Sequence, residues 1–284
     1  MSDNSLQRFT FAGKPVRGAL IHLNEAYRAV LDCHEYPAPL KTVLGEALAA
    51  VALLSATIKL EGKLSLQIQG EGALRLLLAQ SNQRQDLRAL AQWQGEIGDA
   101  DLTHLLTNGR LVLTIEPDKG QRYQGVVPLA GAHLAECLEA YFRQSEQLAT
   151  RLYLRADGER AAGLLLQALP ATDPDDGSFQ HAETLADTLK TEELLGLPKD
   201  ELLHRLYHQD DLEIYPTTPV AFRCQCSRER CLSALATVDY AELQHMLEQD
   251  KEIAMNCEFC NTTYRFGPAE IESLFPDPAS PTQH

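Results

Sequence analysis

Residues 64–79 read Leu64-Ser-Leu-Gln-Ile-Gln-Gly-Glu-Gly-Ala-Leu-Arg-Leu-Leu-Leu-Ala79, and this stretch sets the fold class. Leu64, Leu66 and Ile68 alternate with Ser65, Gln67 and Gln69, the period of two that belongs to a strand with one buried face. Gly70-Glu71-Gly72 then punctuates a hairpin into a second strand, 74–79. Working outward, similar short runs predict strands at 87–94, 111–115, 123–127, 152–155 and 163–169. Helices are expected around 17–31, from Leu40 onward after the Tyr36-Pro37-x-Pro39 turn, and at 133–143. In the last of these, Leu134, Cys137, Leu138, Tyr141 and Phe142 fall at helical spacing and give one buried face. The sum is an α+β chain with a large mixed, mainly antiparallel sheet domain over residues 1–171. Cys137 reads as a small core residue of its helix.

The alanine- and leucine-rich run from Val43 to Ile58 is shorter than a membrane span, contains Glu46 and is flanked by Lys41 and Lys59. A buried helix of a soluble protein is the expectation, with no membrane partner. The chain has 284 residues, 44% of them hydrophobic, which suffices for a large core and one or two smaller units. A net charge of −15 repels a nucleic-acid backbone unless a basic patch offsets it. Residues 220–275 carry five Arg or Lys against nine Asp or Glu, so no such patch is expected and no nucleic-acid partner follows.

Composition changes at Thr172-Asp-Pro-Asp-Asp-Gly177, where turn signals open an acidic linker, 172–219, with twelve Asp or Glu against three Lys or Arg over 172–215. Two short helices, 183–195 and 199–208, separated by Gly196-Leu197-Pro198, are marginal alone and call for a surface to dock on. A strand at 212–215 precedes a small module, 220–275. There Ser227 can cap a helix to about 235, Asp239 with Glu242 can start another over 240–248, and Pro268 opens a last one. The tail, 276–284, reads as disordered.

That module holds Cys224-x-Cys226 and, thirty residues on, Cys257-x-x-Cys260. Two close-spaced cysteine pairs can supply four thiolates to one tetrahedral Zn2+, so these residues are the expected metal ligands. Four sulfur ligands leave no open position for water or substrate, which argues against zinc hydrolysis. The alternative, two ordinary disulfides, fits an exported protein. Against it, residues 1–11 lack the apolar stretch of an export signal, and Cys33, Cys137 and Cys231 make the cysteine total odd. A reducing cytoplasm is therefore expected. Arg223, Arg228 and Arg230 lie near the first pair in sequence, and cations favour thiolate, the form that oxidants attack. An oxidised sulfur could condense with its neighbour and expel the metal, so the chemistry permits a redox switch as well as a static zinc staple.

Beyond the cysteines, the chain carries Val16-Arg-Gly18, Tyr36-Pro37, Gln67-x-Gln69-Gly70 and Arg122-Tyr-Gln-Gly-Val-Val127. It also carries Tyr141-Phe142, Ser145-Glu-Gln-Leu148, Lys190-Thr-Glu-Glu-Leu-Leu195 and Cys224-x-Cys226-Ser-Arg-Glu-Arg-Cys231. On these residues it resembles, over essentially its whole length, the redox-regulated heat-shock protein 33 chaperones. The resemblance implies an ATP-independent holdase of unfolding client proteins, inactive when reduced and zinc-bound. It implies that oxidation pairs Cys224 with Cys226 and Cys257 with Cys260, releases zinc, unfolds the linker, exposes apolar surface and favours a homodimer. Cys137 and Cys231 match family cysteines that are not ligands, and Cys33 has no counterpart.

No enzyme is expected and no catalytic residues are assigned. The chain lacks a His-Glu-x-x-His zinc motif, a Gly-x-Ser-x-Gly nucleophile turn and a phosphate loop. His204, His208 and His245 read as exposed helix residues. The competing reading of the module is a structural zinc-ribbon adaptor that binds a folded partner constitutively.

Overall fold

The computed structural model describes residues 4–58, 61–99, 101–129, 131–170 and 177–275. Most of the turn segment opening the linker, and the tail expected to be disordered, lie outside these residues. The chain divides into two compact units, Met1–Arg223 and Cys224–His284. In chain order the first begins β1 (Ser5–Phe11), β2 (Val16–Leu23), α1 (Glu25–Leu31), α2 (Ala38–Thr57), β3 (Gly62–Gln69), β4 (Leu74–Asn82) and β5 (Asp86–Trp93). It continues α3 (Leu102–Leu105), β6 (Arg110–Pro117), β7 (Tyr123–Val127), α4 (Leu134–Tyr141), β8 (Thr150–Ala156) and β9 (Ala161–Ala168). It closes with α5 (Ser178–Ala186), α6 (Thr191–Gly196), α7 (Lys199–Tyr207), β10 (Leu212–Ile214), β11 (Thr218–Pro219) and β12 (Ala221–Phe222).

Two sheets form, β10-β1-β2-β9-β8 with β11 also on β1, and β12-β5-β4-β3-β6-β7. Pairing is antiparallel except between β12 and β5. The apolar run is α2, which packs on strands of both sheets. Its length and composition would allow a membrane crossing, but 72% of its most apolar window is buried inside the protein. A helix apolar on every side needs burial all round, and lying between two sheets supplies it. Close approach also explains Gly45, where a Cβ would come within 2.5 Å of the Ala156 methyl. From β3, Leu64, Leu66 and Ile68 enter this core, as the alternation requires.

The first expected helix is half wrong. Residues 16–23 are strand β2, and only 25–31 are helical. β2 is buried on both faces, so its apolar residues run together rather than alternate, and periodicity alone cannot separate such a strand from a helix. β9 is buried along nearly its whole length for the same reason.

What covers the second face of this sheet is the acidic segment. Ala182, Ala186, Leu194, Leu202, Leu203, Leu206 and Tyr207 pack on Phe9, Phe11, Val16, Leu20, Leu164 and Leu166 in a core separate from that around α2. Instead of one helix over 183–195 there are two, α5 and α6. The break is held by the Asp187 carboxylate, which accepts from the Tyr153 hydroxyl at 2.6 Å, and the Glu193 carboxylate then accepts from Lys190 N to start α6. Arg151 bridges Glu139 at 2.9 Å, Asp187 at 3.3 Å and Glu183 at 3.4 Å, while Asp210 accepts from Lys14 Nζ at 2.7 Å. β10 and β11 add to the edge of the same sheet through β1.

Glu46 lies half-buried on α2, and burial pushes its carboxyl up to about 7, with Arg155 offsetting only part. The unfolded chain ionises this group first, so stability declines as pH rises through the interval from about 4.5 to 7 and stays reduced above it. Glu46→Gln is therefore expected to stabilise the first unit by on the order of 2–3 kcal/mol at pH 8, and by little at pH 4.5. Denaturant midpoints at the two pH values check this; equal gains at both would contradict it.

Candidate metal centre

The second unit is built from α8 (Arg228–Leu235), α9 (Tyr240–Asp250), β13 (Ile253–Asn256), β14 (Thr263–Phe266) and α10 (Pro268–Leu274). The three helices start where the sequence indicates. Ser227 Oγ accepts from Arg230 N, Asp239 Oδ1 accepts from Ala241 N, and Pro268 stands in the first turn of α10. The β13–β14 hairpin is not foreseen from the sequence, because four-residue strands are too short to show a period. Its apolar core is small: Leu235, Leu243, Ile253, Phe266 and Ile271 are the buried members.

Cys257 and Cys260 sit in the hairpin loop. Asn261 N donates to Cys257 O at 2.7 Å, Cys257 N donates to Thr262 O at 2.9 Å, and Asn261 adopts φ 56°, the left-handed conformation that asparagine tolerates well. Cys224 and Cys226 come in ahead of the Ser227 cap. The four Sγ atoms lie within 4.8 Å of one another, with Cys224–Cys257 at 3.5 Å and Cys226–Cys260 at 3.4 Å, and all four side chains are half-buried. Sulfur–metal bonds of about 2.3 Å in a tetrahedron place sulfurs roughly 3.8 Å apart. The donor set is therefore of a size and softness that could hold one metal ion.

The thiols differ in environment. Burial pushes Cys224 up to about 12 and raises Cys226 as well. Cys260 falls to about 7: burial opposes this, but the hydroxyl and amide of Thr262 and the sulfurs of Cys226 and Cys224 outweigh it. The side-chain donors at the sulfurs are not the arginines that sequence proximity points to. Arg223 pairs with Asp86 at 3.1 Å, and Arg230 Nη1 donates to Gln225 O. Arg228 clamps both oxygens of Glu270, at 2.6 and 2.8 Å, and stacks 4.6 Å above the Phe266 ring. Carboxylates, carbonyls and ring faces elsewhere engage these guanidinium groups. Two hydroxyls approach the sulfurs instead: Tyr264 donates to Cys226 Sγ at 3.2 Å, and Thr262 Oγ1 lies 3.2 Å from Cys260 Sγ. Both follow the second pair closely in sequence, but no spacing rule singles them out.

The remaining cysteines are not among the four clustered sulfurs. Cys137 is fully buried on α4 in the first core, and Cys231 packs against the small core of the second unit. Cys33 donates to Ala29 O just beyond α1. His204, His208 and His245 are exposed.

A two-sheet α+β unit followed by a small unit gathered around four thiols defines an α+β protein whose second unit carries a cysteine cluster that could hold a metal ion. A sequence model of the family described as Hsp33 protein matches residues 4–267. The 33 kDa chaperonin of Serratia proteamaculans is 48% identical over 279 residues, 96% of each chain, and that of Shewanella sediminis is 45% identical over 282 residues, 99% of each. The crystal structure of the 33 kDa chaperonin (heat shock protein 33 homolog) of Thermotoga maritima matches with a TM-score of 0.83 at 23% identity, covering 96% of this chain and 98% of that one. The chain belongs to the Hsp33 family of chaperones.

Proposed function

We propose that this protein is a redox-regulated, ATP-independent holdase of unfolding client proteins, working in the cytoplasm. The carrying observation is the four-thiol cluster in a unit whose buried core is too small to hold it folded unaided. We assign Cys224, Cys226, Cys257 and Cys260 as ligands of one Zn2+. A bound zinc ion supplies cross-linking and keeps the sulfurs as thiolates. The domain plan is a core over 1–171, an acidic linker over 172–219 and the redox module over 220–275.

With peroxide, a cysteine thiolate attacks one oxygen, giving sulfenic acid and hydroxide. A second thiolate displaces hydroxide from that sulfur and forms a disulfide, so two disulfides consume two peroxides. Closest approach in the folded cluster does not choose the partners, because all four sulfurs are near neighbours. The family resemblance implies Cys224 with Cys226 and Cys257 with Cys260, and these pairs stay close as the unit opens while Cys224 and Cys257, 33 residues apart, separate. Loss of the ligands removes the folding energy of the unit, and the linker that follows β9 releases from its sheet. The uncovered apolar face then holds clients, and the oxidised form pairs as a homodimer.

The experiment adds peroxide at raised temperature to the reduced protein, follows zinc release and suppression of client aggregation together, and then restores reductant. Zinc loss with new, reversible holdase activity is the expected result. Zinc retention, or zinc loss without client binding, would leave the constitutive zinc-ribbon adaptor as the better reading.

A further inference from the structure

Tyr264 has no part in the ligand set, yet its hydroxyl donates to Cys226 Sγ at 3.2 Å. Its backbone is fixed in β14 opposite Met255, and its ring packs against the small core. The hydroxyl therefore projects from the hairpin that carries the second cysteine pair onto a sulfur of the first pair, 38 residues earlier. Within each pair one sulfur has a hydroxyl neighbour, Cys226 with Tyr264 and Cys260 with Thr262, and these two sulfurs lie 3.4 Å apart. No hydroxyl contact is found at Cys224 or Cys257 among the described residues.

We propose that Tyr264 is a positioning residue of the cysteine centre, holding Cys226 Sγ in the cluster and damping its reactivity toward electrophilic oxidants. A ligand atom needs an outer partner to fix its direction, and such partners commonly contribute 10–100-fold to metal affinity. A hydroxyl proton on a thiolate lone pair also withdraws the electron density with which sulfur attacks peroxide. Tyr264 thus makes the first pair better ordered and slower to oxidise than a bare Cys-x-Cys pair. The oxidation half of this statement rests on the redox reading above; the metal-binding half does not.

The test uses the full-length protein in reductant with Co2+ as the probe, titrated against a competing chelator. Tyr264→Phe keeps the ring and removes the donor. The expected result is roughly a 10-fold loss of Co2+ affinity and a shift of the sulfur-to-cobalt charge-transfer band to longer wavelength. Peroxide-driven metal loss should accelerate several-fold. A ring that merely packs is kept by Tyr264→Phe, so unchanged affinity with an unmoved band, or weaker binding with an unmoved band, overturns the proposal. Placing 3-fluorotyrosine at position 264 strengthens the donor in the same ring, and the band is expected to move the opposite way. This second protein decides the matter should Tyr264→Phe fail to fold. No movement, or movement in the same direction as Phe, overturns the proposal. Because these spectra are taken without peroxide or client, they stand whether or not the holdase switch operates.

Discussion

Stripping the metal from the reduced protein is expected to unfold residues 224–275 and to release α5–α7 from their sheet, while the two sheets around α2 stay folded. Five buried apolar side chains cannot offset the conformational entropy of about fifty residues, which is on the order of 1–2 kcal/mol each. Apparent zinc binding in small modules of this kind is about 10–16 kcal/mol, so a bound zinc ion would decide whether the unit is folded. The Arg228 clamp on Glu270 and Phe266 is exposed and screened by solvent, so it cannot replace the metal. The check is direct, because the chain has a single tryptophan, Trp93, in β5 with its ring 5.6 Å from Tyr36. Addition of a strong chelator should remove the far-ultraviolet signal of α8, α9 and α10, open 177–222 to protease, and leave Trp93 emission unchanged. Retained helix signal would show that the apolar core suffices, and the ligand-loss account of switching would fail with it.

The second large effect is expected from Tyr207→Ala. Tyr207 is 2% exposed, meets Phe11 edge-on at 5.0 Å and Phe9 at 6.1 Å, and its hydroxyl donates to Ala182 O at 3.2 Å. Truncating a buried aromatic costs about 3–5 kcal/mol. Here the loss falls on the core between α5–α7 and the sheet, which is separate from the core around α2. The variant should therefore free 177–222 to protease in the reduced protein while the two sheets around α2 persist. Client binding should appear at a lower dose of peroxide. Leu203→Ala, which removes fewer atoms, should act in the same direction and less strongly. An unchanged cleavage pattern together with an unchanged peroxide threshold would mean that this segment takes no part in regulation.

How much of this could be seen in the sequence follows from where each signal lives. β3 was legible because its two faces meet different surroundings, α2 on one side and polar side chains on the other. β2 was not, because both its faces are covered, the second by a segment some 160 residues later that no local window contains. The hairpin β13–β14 escaped because it is set by the cysteine loop between its strands and not by a hydrophobic period. Cys224, Cys226, Cys257 and Cys260 were legible as a set because two close cysteine pairs are a recognisable spacing for four sulfurs brought to one place. Their environment was not. Sequence proximity pointed to Arg223, Arg228 and Arg230, but Asp86, Glu270 and Gln225 engage those groups in the folded chain. The hydroxyls of Tyr264 and Thr262 come forward only once the hairpin closes.

The double burial of β9 and β2 carries one more consequence. Phe9, Phe11, Leu164 and Leu166 are core residues while α5–α7 lie over them, and they are the same residues that solvent or a client would meet once those helices leave. If these helices act as the proposed shutter, hydrophobicity at these positions both tightens it and increases the adhesiveness of what lies behind it, so selection could not raise grip without also raising the threshold for showing it. The polar fasteners, Lys14 on Asp210 and Tyr153 on Asp187, escape this bind, since they strengthen closure without adding to the adhesive face. Relatives adapted to milder or harsher oxidation should therefore differ first at these fasteners, and last in the apolar floor they secure.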